Sequence, residues 1–155
     1  MQQRLHKKIK NTWALAILGT PVLGLLCSVI LTAISRATGI RSEGLDSFKD
    51  VMSDISGIEL LLLIVVIGIV VPIIEELVFR GLLWKIFSLF KAPDILAYVL
   101  TSLLFAVAHY EPLHILGVLP LSFFIGWLRL RSKSVFPGIA AHMSNNLVAC
   151  AILLL

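Results

Sequence analysis

The chain has 155 residues, 59% of them hydrophobic and 14% charged, with a mean hydropathy of +1.01. A water-soluble globule is nearer roughly 45 to 50% apolar, so this chain has too little polar surface to coat one and reads as a polytopic membrane protein. The net charge of +4 and a pI of about 9.3 would suit a nucleic-acid partner. However, the basic residues stand at the ends of apolar runs, where they anchor spans and set topology, and no nucleic acid is expected. Cys27 and Cys150 both lie in apolar runs without C-x-x-C spacing, so they read as small packing residues rather than as a disulfide or a thiolate metal site.

In chain order, a basic leader with Arg4, His6, Lys7, Lys8 and Lys10 precedes an apolar stretch from Trp13 to Ile34. A secretory signal has an apolar core of about 7 to 15 residues; this one is long enough to span and reads as a retained first helix. The segment from Arg36 to Glu59 is polar and mostly acidic, broken by Gly39, Gly44 and Gly57, and is expected to be a non-cytoplasmic loop carrying a short amphipathic helix.

A second span begins near Ile58 and carries Pro72, Glu75, Glu76 and Arg80. It turns amphipathic over Gly81 to Phe90, a segment expected to protrude from or lie along the interface. Pro72 is expected to kink it, and the carbonyl it frees must be met by other protein groups. After the Lys91–Asp94 turn, further spans run from Ile95 to His109, from about Ile115 to Leu128, and from Val135 to Leu155. Leu155 ends the chain without a polar anchor, as a truncated chain would.

Alternation puts the basic amino terminus, the Arg80 to Lys91 segment and the Arg129 to Lys133 turn on one side, and the acidic loop and the Glu111 turn on the other. By the positive-inside rule the amino terminus is cytoplasmic. The expected fold is therefore an all-α, polytopic transmembrane helix bundle of about five spanning helices plus an interfacial amphipathic segment. Residues 1–57 form the leader, first span and polar loop, and residues 58–155 the functional core. Trp13, Trp84 and Trp127 near span ends fit an aromatic belt, and Gly117 and Gly126 suit close helix packing.

Ionisable groups inside a span are expensive and read as functional, with partners to be found. Glu75 lies 16 residues before Lys91, and His109 lies 16 residues after Pro93. An antiparallel hairpin would set both roughly 24 Å from the turn and let them face one another. On the last span His142 and Asn146, at i and i+4, share a face. Glu76 and Arg80 have the same spacing in the order that favours an ion pair. Glu75, turned about 100° away from Glu76, is left to act as a general base on water. His142 and Asn146 are placed to stabilise an oxyanion. This arrangement suits a hydrolase that forms no covalent acyl intermediate.

Three segments, E-E-L-V-F-R (Glu75, Glu76, Arg80), F-A-V-A-H (Phe105, His109) and H-M-S-N-N (His142, Asn146), resemble in order and separation the signatures of one family. It is the CAAX-protease and bacteriocin-processing (CPBP or ABI) family of intramembrane endopeptidases, and the likeness covers Leu60 to the end of the chain. The resemblance implies Glu75 and His109 on the attacking water, His142 and Asn146 at the oxyanion, and Glu76 with Arg80 in support. Phe105 would shape the cavity beside His109. The family is often labelled metalloprotease, but H-E-x-x-H is absent, and one Glu, two His and one Asn make a marginal zinc set. No cofactor is favoured; a divalent metal such as zinc, if used, would fall to Glu75, His109 and His142. The expected partners are a peptide or membrane-protein substrate and the lipid bilayer, in a bacterial cell membrane.

Plainer readings stand beside these. Glu76–Arg80 and Glu75–His109 could each simply fix helix packing, Asn146 could be interhelical glue, and His114 reads as an interfacial residue. Asn145 points away from the site. Two other function classes fit the same residues: a non-catalytic membrane immunity or interaction protein, and a small proton- or ion-coupled transporter that uses Glu75, His109 and His142 as a relay. No inverted repeat supports the transporter.

Overall fold

A computed structural model describes residues 11–155; the basic leader with His6 lies outside the described residues. The described chain forms helices α1 (Asn11–Thr38), α2 (Glu43–Asp54), α3 (Gly57–Leu89), α4 (Asp94–Val107), α5 (Pro112–Ser132) and α6 (Phe136–Leu153). Four of them, α1, α3, α5 and α6, are long and apolar enough to cross a membrane. The apolar α4 has 14 residues, about 21 Å at 1.5 Å per residue, which is shorter than a hydrocarbon core of about 30 Å. The fold is an all-α membrane bundle.

The amphipathic helix expected in the polar loop is α2. It is tied to the rest of the bundle through the connection before it, where Ser42 Oγ donates to Glu111 Oε2 at 2.9 Å. The segment Gly81 to Phe90 is not a separate element. It continues α3, whose 33 residues would measure about 50 Å as an ideal helix and so exceed the hydrocarbon thickness.

Pro72 leaves α3 unbroken. The helix takes up π-helical turns at Val66–Val70, just before the proline, and at Leu77–Leu83, just after the glutamates. Such turns inside an α-helix frequently mark functional sites.

Helices α5 and α6 pack on each other and on α1. Helix α6 also covers the first π turn and the Val71–Glu76 stretch of α3, while α4 packs on α5 and on the Leu77–Leu89 end of α3. Gly126 permits the α4–α5 contact, since a Cβ there would stand 2.6 Å from Ser102 Oγ. Gly117 does the same against α1, where a Cβ would meet Leu31 Cδ1 at 2.5 Å.

Polarity is inverted relative to a soluble protein. The largest fully buried side chain among the described residues is Arg80, and Glu76, Thr20, Thr101, Ser102 and Ser122 are also fully buried, whereas Leu18, Val29, Ile58 and Leu89 point outward. Trp84 departs from the expected belt: it is buried at 3% exposure, with the Arg129 guanidinium 5.0 Å from its ring centroid. Arg129 also donates from Nε to the carbonyl of Arg80, so the indole and guanidinium brace the second π turn from inside.

Candidate functional site

The centre of the bundle is built on Arg80. Its Nη1 donates to Glu76 Oε1 at 2.9 Å, and neither side chain is exposed. Its Nη2 donates to both the carbonyl and the hydroxyl of Ser122 on α5, at 3.0 and 2.8 Å. The guanidinium carbon stands 4.4 Å from the centroid of the Phe105 ring on α4. One side chain thus joins three helices. A buried charge of this kind is tolerable only with its partners in place.

His142 on α6 lies between the two glutamates. Its Nδ1 is 3.2 Å from Glu76 Oε1, and its Nε2 is 3.6 Å from Glu75 Oε2, just beyond hydrogen-bond length. An ionised carboxylate only accepts, so Nδ1–H donates to Glu76 and Nε2 is turned to Glu75. Neighbouring residues on a helix project about 100° apart, and Glu75 and Glu76 accordingly reach the imidazole from different sides. The expectation that Glu76 pairs with Arg80 holds, and the same carboxylate also holds His142. Glu75 differs in access, with 30% of its side chain exposed against none of Glu76.

Phe105 and His109 form the α4 side. His109 Nδ1 donates to the Phe105 carbonyl at 2.9 Å; the carbonyl can only accept, so in the neutral ring Nε2 carries the lone pair. The Phe105 ring lies 5.0 Å from the His109 ring and 5.5 Å from that of His142, and it meets Phe79 edge-on. Glu75 and His109 form no ion pair or hydrogen bond with each other. Helix α4 ends at Val107, and the His109 ring folds back on its own helix and on His114, 4.7 Å away. The carboxylate meets the other histidine instead.

Asn146 sits one turn beyond His142 and donates from Nδ2 to the carbonyl of Ile67 at 3.1 Å. The reason lies in α3. Val71 N–H bonds to Val66 in the π pattern, so the next carbonyl, that of Ile67, would be served by residue 72, a proline with no N–H. Asn146 satisfies that orphan. Asn145 faces α1, where a Cβ on Gly24 would collide with its Oδ1.

Glu75, Glu76, Arg80, Phe105 and His142 therefore converge, His109 joins them through the Phe105 ring, and Asn146 braces the helix that carries the glutamates. Ser122 and Ser102 belong to this centre and carry no sequence signal, because a serine in an apolar span usually bonds back to its own helix. No three or more His, Cys, Asp or Glu side chains among the described residues lie together as a ready metal shell.

Comparison with known proteins adds an independent line. Residues 57–148 match the family described as type II CAAX prenyl endopeptidase Rce1-like. The chain is 28% identical over 109 residues to the "Putative membrane peptidase YdiL" of Bacillus subtilis (strain 168), covering 70% of this chain and 42% of that protein. It is 34% identical over 98 residues to the "UPF0177 protein YxdF" of Lactococcus lactis subsp. lactis (strain IL1403), covering 62% of this chain and 53% of that one. The chain thus spans about half the length of these curated relatives. No solved structure matches it. With more than half of its residues matched, across all three motif-bearing helices, the chain belongs to the type II CAAX prenyl endopeptidase Rce1-like family.

Proposed function

We propose that the protein is an intramembrane endopeptidase that hydrolyses peptide bonds with glutamate-activated water. The observation that carries this reading is the pair of unlike carboxylates on one imidazole. Glu76 is sealed against Arg80 and His142, while Glu75, on the other edge of the same ring, is partly exposed. Glu75 takes a proton from a water molecule, and the resulting hydroxide attacks the peptide carbonyl carbon. His109 Nε2 helps to orient that water.

The carbonyl oxygen becomes an oxyanion, which the second N–H of Asn146 Nδ2 stabilises together with the Nε2–H of His142 in its imidazolium form, Nδ1–H staying with Glu76. Collapse breaks the C–N bond, and Glu75 returns its proton to the leaving amine. Family membership and the name of the Bacillus relative support peptide cleavage as the reaction class. We put the amino terminus in the cytoplasm, a reading the basic turns support, and the protein in a bacterial cell membrane, which the bacterial sources of the relatives support.

The test compares purified wild type with Glu75→Ala, in detergent or liposomes, on a library of short fluorogenic peptides with and without a chelator. Cleavage lost in the variant and kept with chelator is the expected result. Chelator sensitivity would assign Glu75, His109 and His142 to a metal. No cleavage by folded wild type would favour the non-catalytic immunity or interaction protein.

A further inference from the structure

We infer that Ser122, with Ser102 behind it, is a positioning residue that sets the catalytic imidazole through Arg80; this rests on the reading just proposed. Ser122 Oγ accepts from Arg80 Nη2 at 2.8 Å and donates to the carbonyl of Ser102 at 2.8 Å. Ser102 Oγ in turn donates to the carbonyl of Ser122 at 3.3 Å, and that same carbonyl accepts from Arg80 Nη2 at 3.0 Å. Two serines on two helices thus close a reciprocal clasp whose open end holds one nitrogen of the guanidinium. All three side chains are fully buried.

The clasp does more than join α4 to α5. A guanidinium is a rigid planar fork, so fixing Nη2 on Ser122 fixes where Nη1 points, and Nη1 holds Glu76 Oε1. Glu76 Oε1 also receives Nδ1–H of His142, and the other edge of that ring faces Glu75. The sequence Ser122, Arg80, Glu76, His142, Glu75 is a single run of polar contacts from α5 through α3 to α6. Arg80 Nε has no hydrogen-bond partner, so with the Ser122 hydroxyl removed the guanidinium keeps only the Ser122 carbonyl and Glu76 Oε1 as acceptors. The Phe105 ring restrains it from one face only, at 4.4 Å.

The experiment uses the full chain in detergent and compares Ser122→Ala with Thr20→Ala. The control removes another fully buried hydroxyl, which bonds to Ala16 within α1 at 2.9 Å. Two readouts are taken: peptide cleavage resolved into kcat and KM, and the ring nitrogen resonances of His142 in 15N-histidine-labelled protein, assigned by their loss in His142→Gln. The expected result is a kcat lower by on the order of tenfold in Ser122→Ala with KM unchanged, as follows from losing a hydrogen bond to a charged group. The His142 signals should shift in that variant and hold still in Thr20→Ala. Equal effects of the two variants on kcat and on the His142 signals would reduce Ser122 to ordinary packing and overturn the inference. Should wild type cleave no peptide, the endopeptidase reading fails by itself. The resonances then still decide the clasp, and unchanged His142 signals in Ser122→Ala overturn it.

Discussion

Asn146 closes the gap that Pro72 opens: its Nδ2 donates to the carbonyl of Ile67 at 3.1 Å, the one π-turn carbonyl whose natural partner is the proline. Losing that bond in Asn146→Ala leaves a half-buried carbonyl unpaired, at a cost of about 1 kcal/mol. The expected outcome is a lower thermal midpoint in detergent together with lower kcat, because in the proposed mechanism the same amide gives its second N–H to the oxyanion. Lost kcat with an unchanged midpoint would mean that Asn146 does not brace α3.

The two glutamates should separate cleanly by substitution. Glu75→Gln removes the proposed base, whose side chain is 30% exposed, so the thermal midpoint should stay near wild type while peptide cleavage falls by about a thousandfold, within the usual range for a general base. Glu76→Gln leaves Arg80 charged and fully buried with its partner neutralised, and breaking a buried pair costs about 3 to 5 kcal/mol. Thermal unfolding followed by circular dichroism should show the large loss only for Glu76→Gln.

Stability and chemistry can then be pulled apart at the same pair. Replacing both partners, Glu76→Leu with Arg80→Met, removes the charges along with the need to compensate them, and such replacements are often neutral or stabilising. The double variant should regain the midpoint lost by Glu76→Gln. It should still fail to cleave peptide, since His142 loses its anchor. Restored cleavage would show that the buried pair is structural only.

The helices and their order are legible in the sequence because each is an apolar run closed by charged or Gly/Pro-rich turns, although the run after Pro93 gives a helix of only 14 residues. The ion pair Glu76–Arg80 is legible too, being local to one helix. Contacts between helices are less so. Helical rise puts Glu75 and His109 at one height, but height says nothing of rotation, and the His109 ring turns back onto the Phe105 carbonyl. Nor does spacing reveal that Asn146 serves Ile67, which depends on the π turn ahead of Pro72. Ser122 stays hidden for a related reason: its partner is 42 residues away on another helix. Trp84 has the position of a belt residue and the burial of a core residue, because Arg129 is drawn inward to the Arg80 carbonyl.

Gly138 tests how tightly α6 must approach α3. A Cβ there would stand 3.1 Å from Glu76 Oε2 and 3.2 Å from Ile125 Cγ2. Neither neighbour can yield, because Glu76 is held through Oε1 by Arg80 and His142 and Ile125 is 2% exposed in the packed core. In Gly138→Ala the helix must therefore withdraw, carrying His142 away from Glu75. Overpacking of this kind costs about 1 to 3 kcal/mol, and cleavage should fall with it. Gly81→Ala is the control: its nearest neighbour is the Glu76 carbonyl at 3.9 Å, an ordinary contact, and alanine is the better helix former by up to about 1 kcal/mol. The control should melt at or above the wild-type midpoint and keep its activity. Equal tolerance of both substitutions would mean that α6 and the glutamate helix are not held in register by that contact.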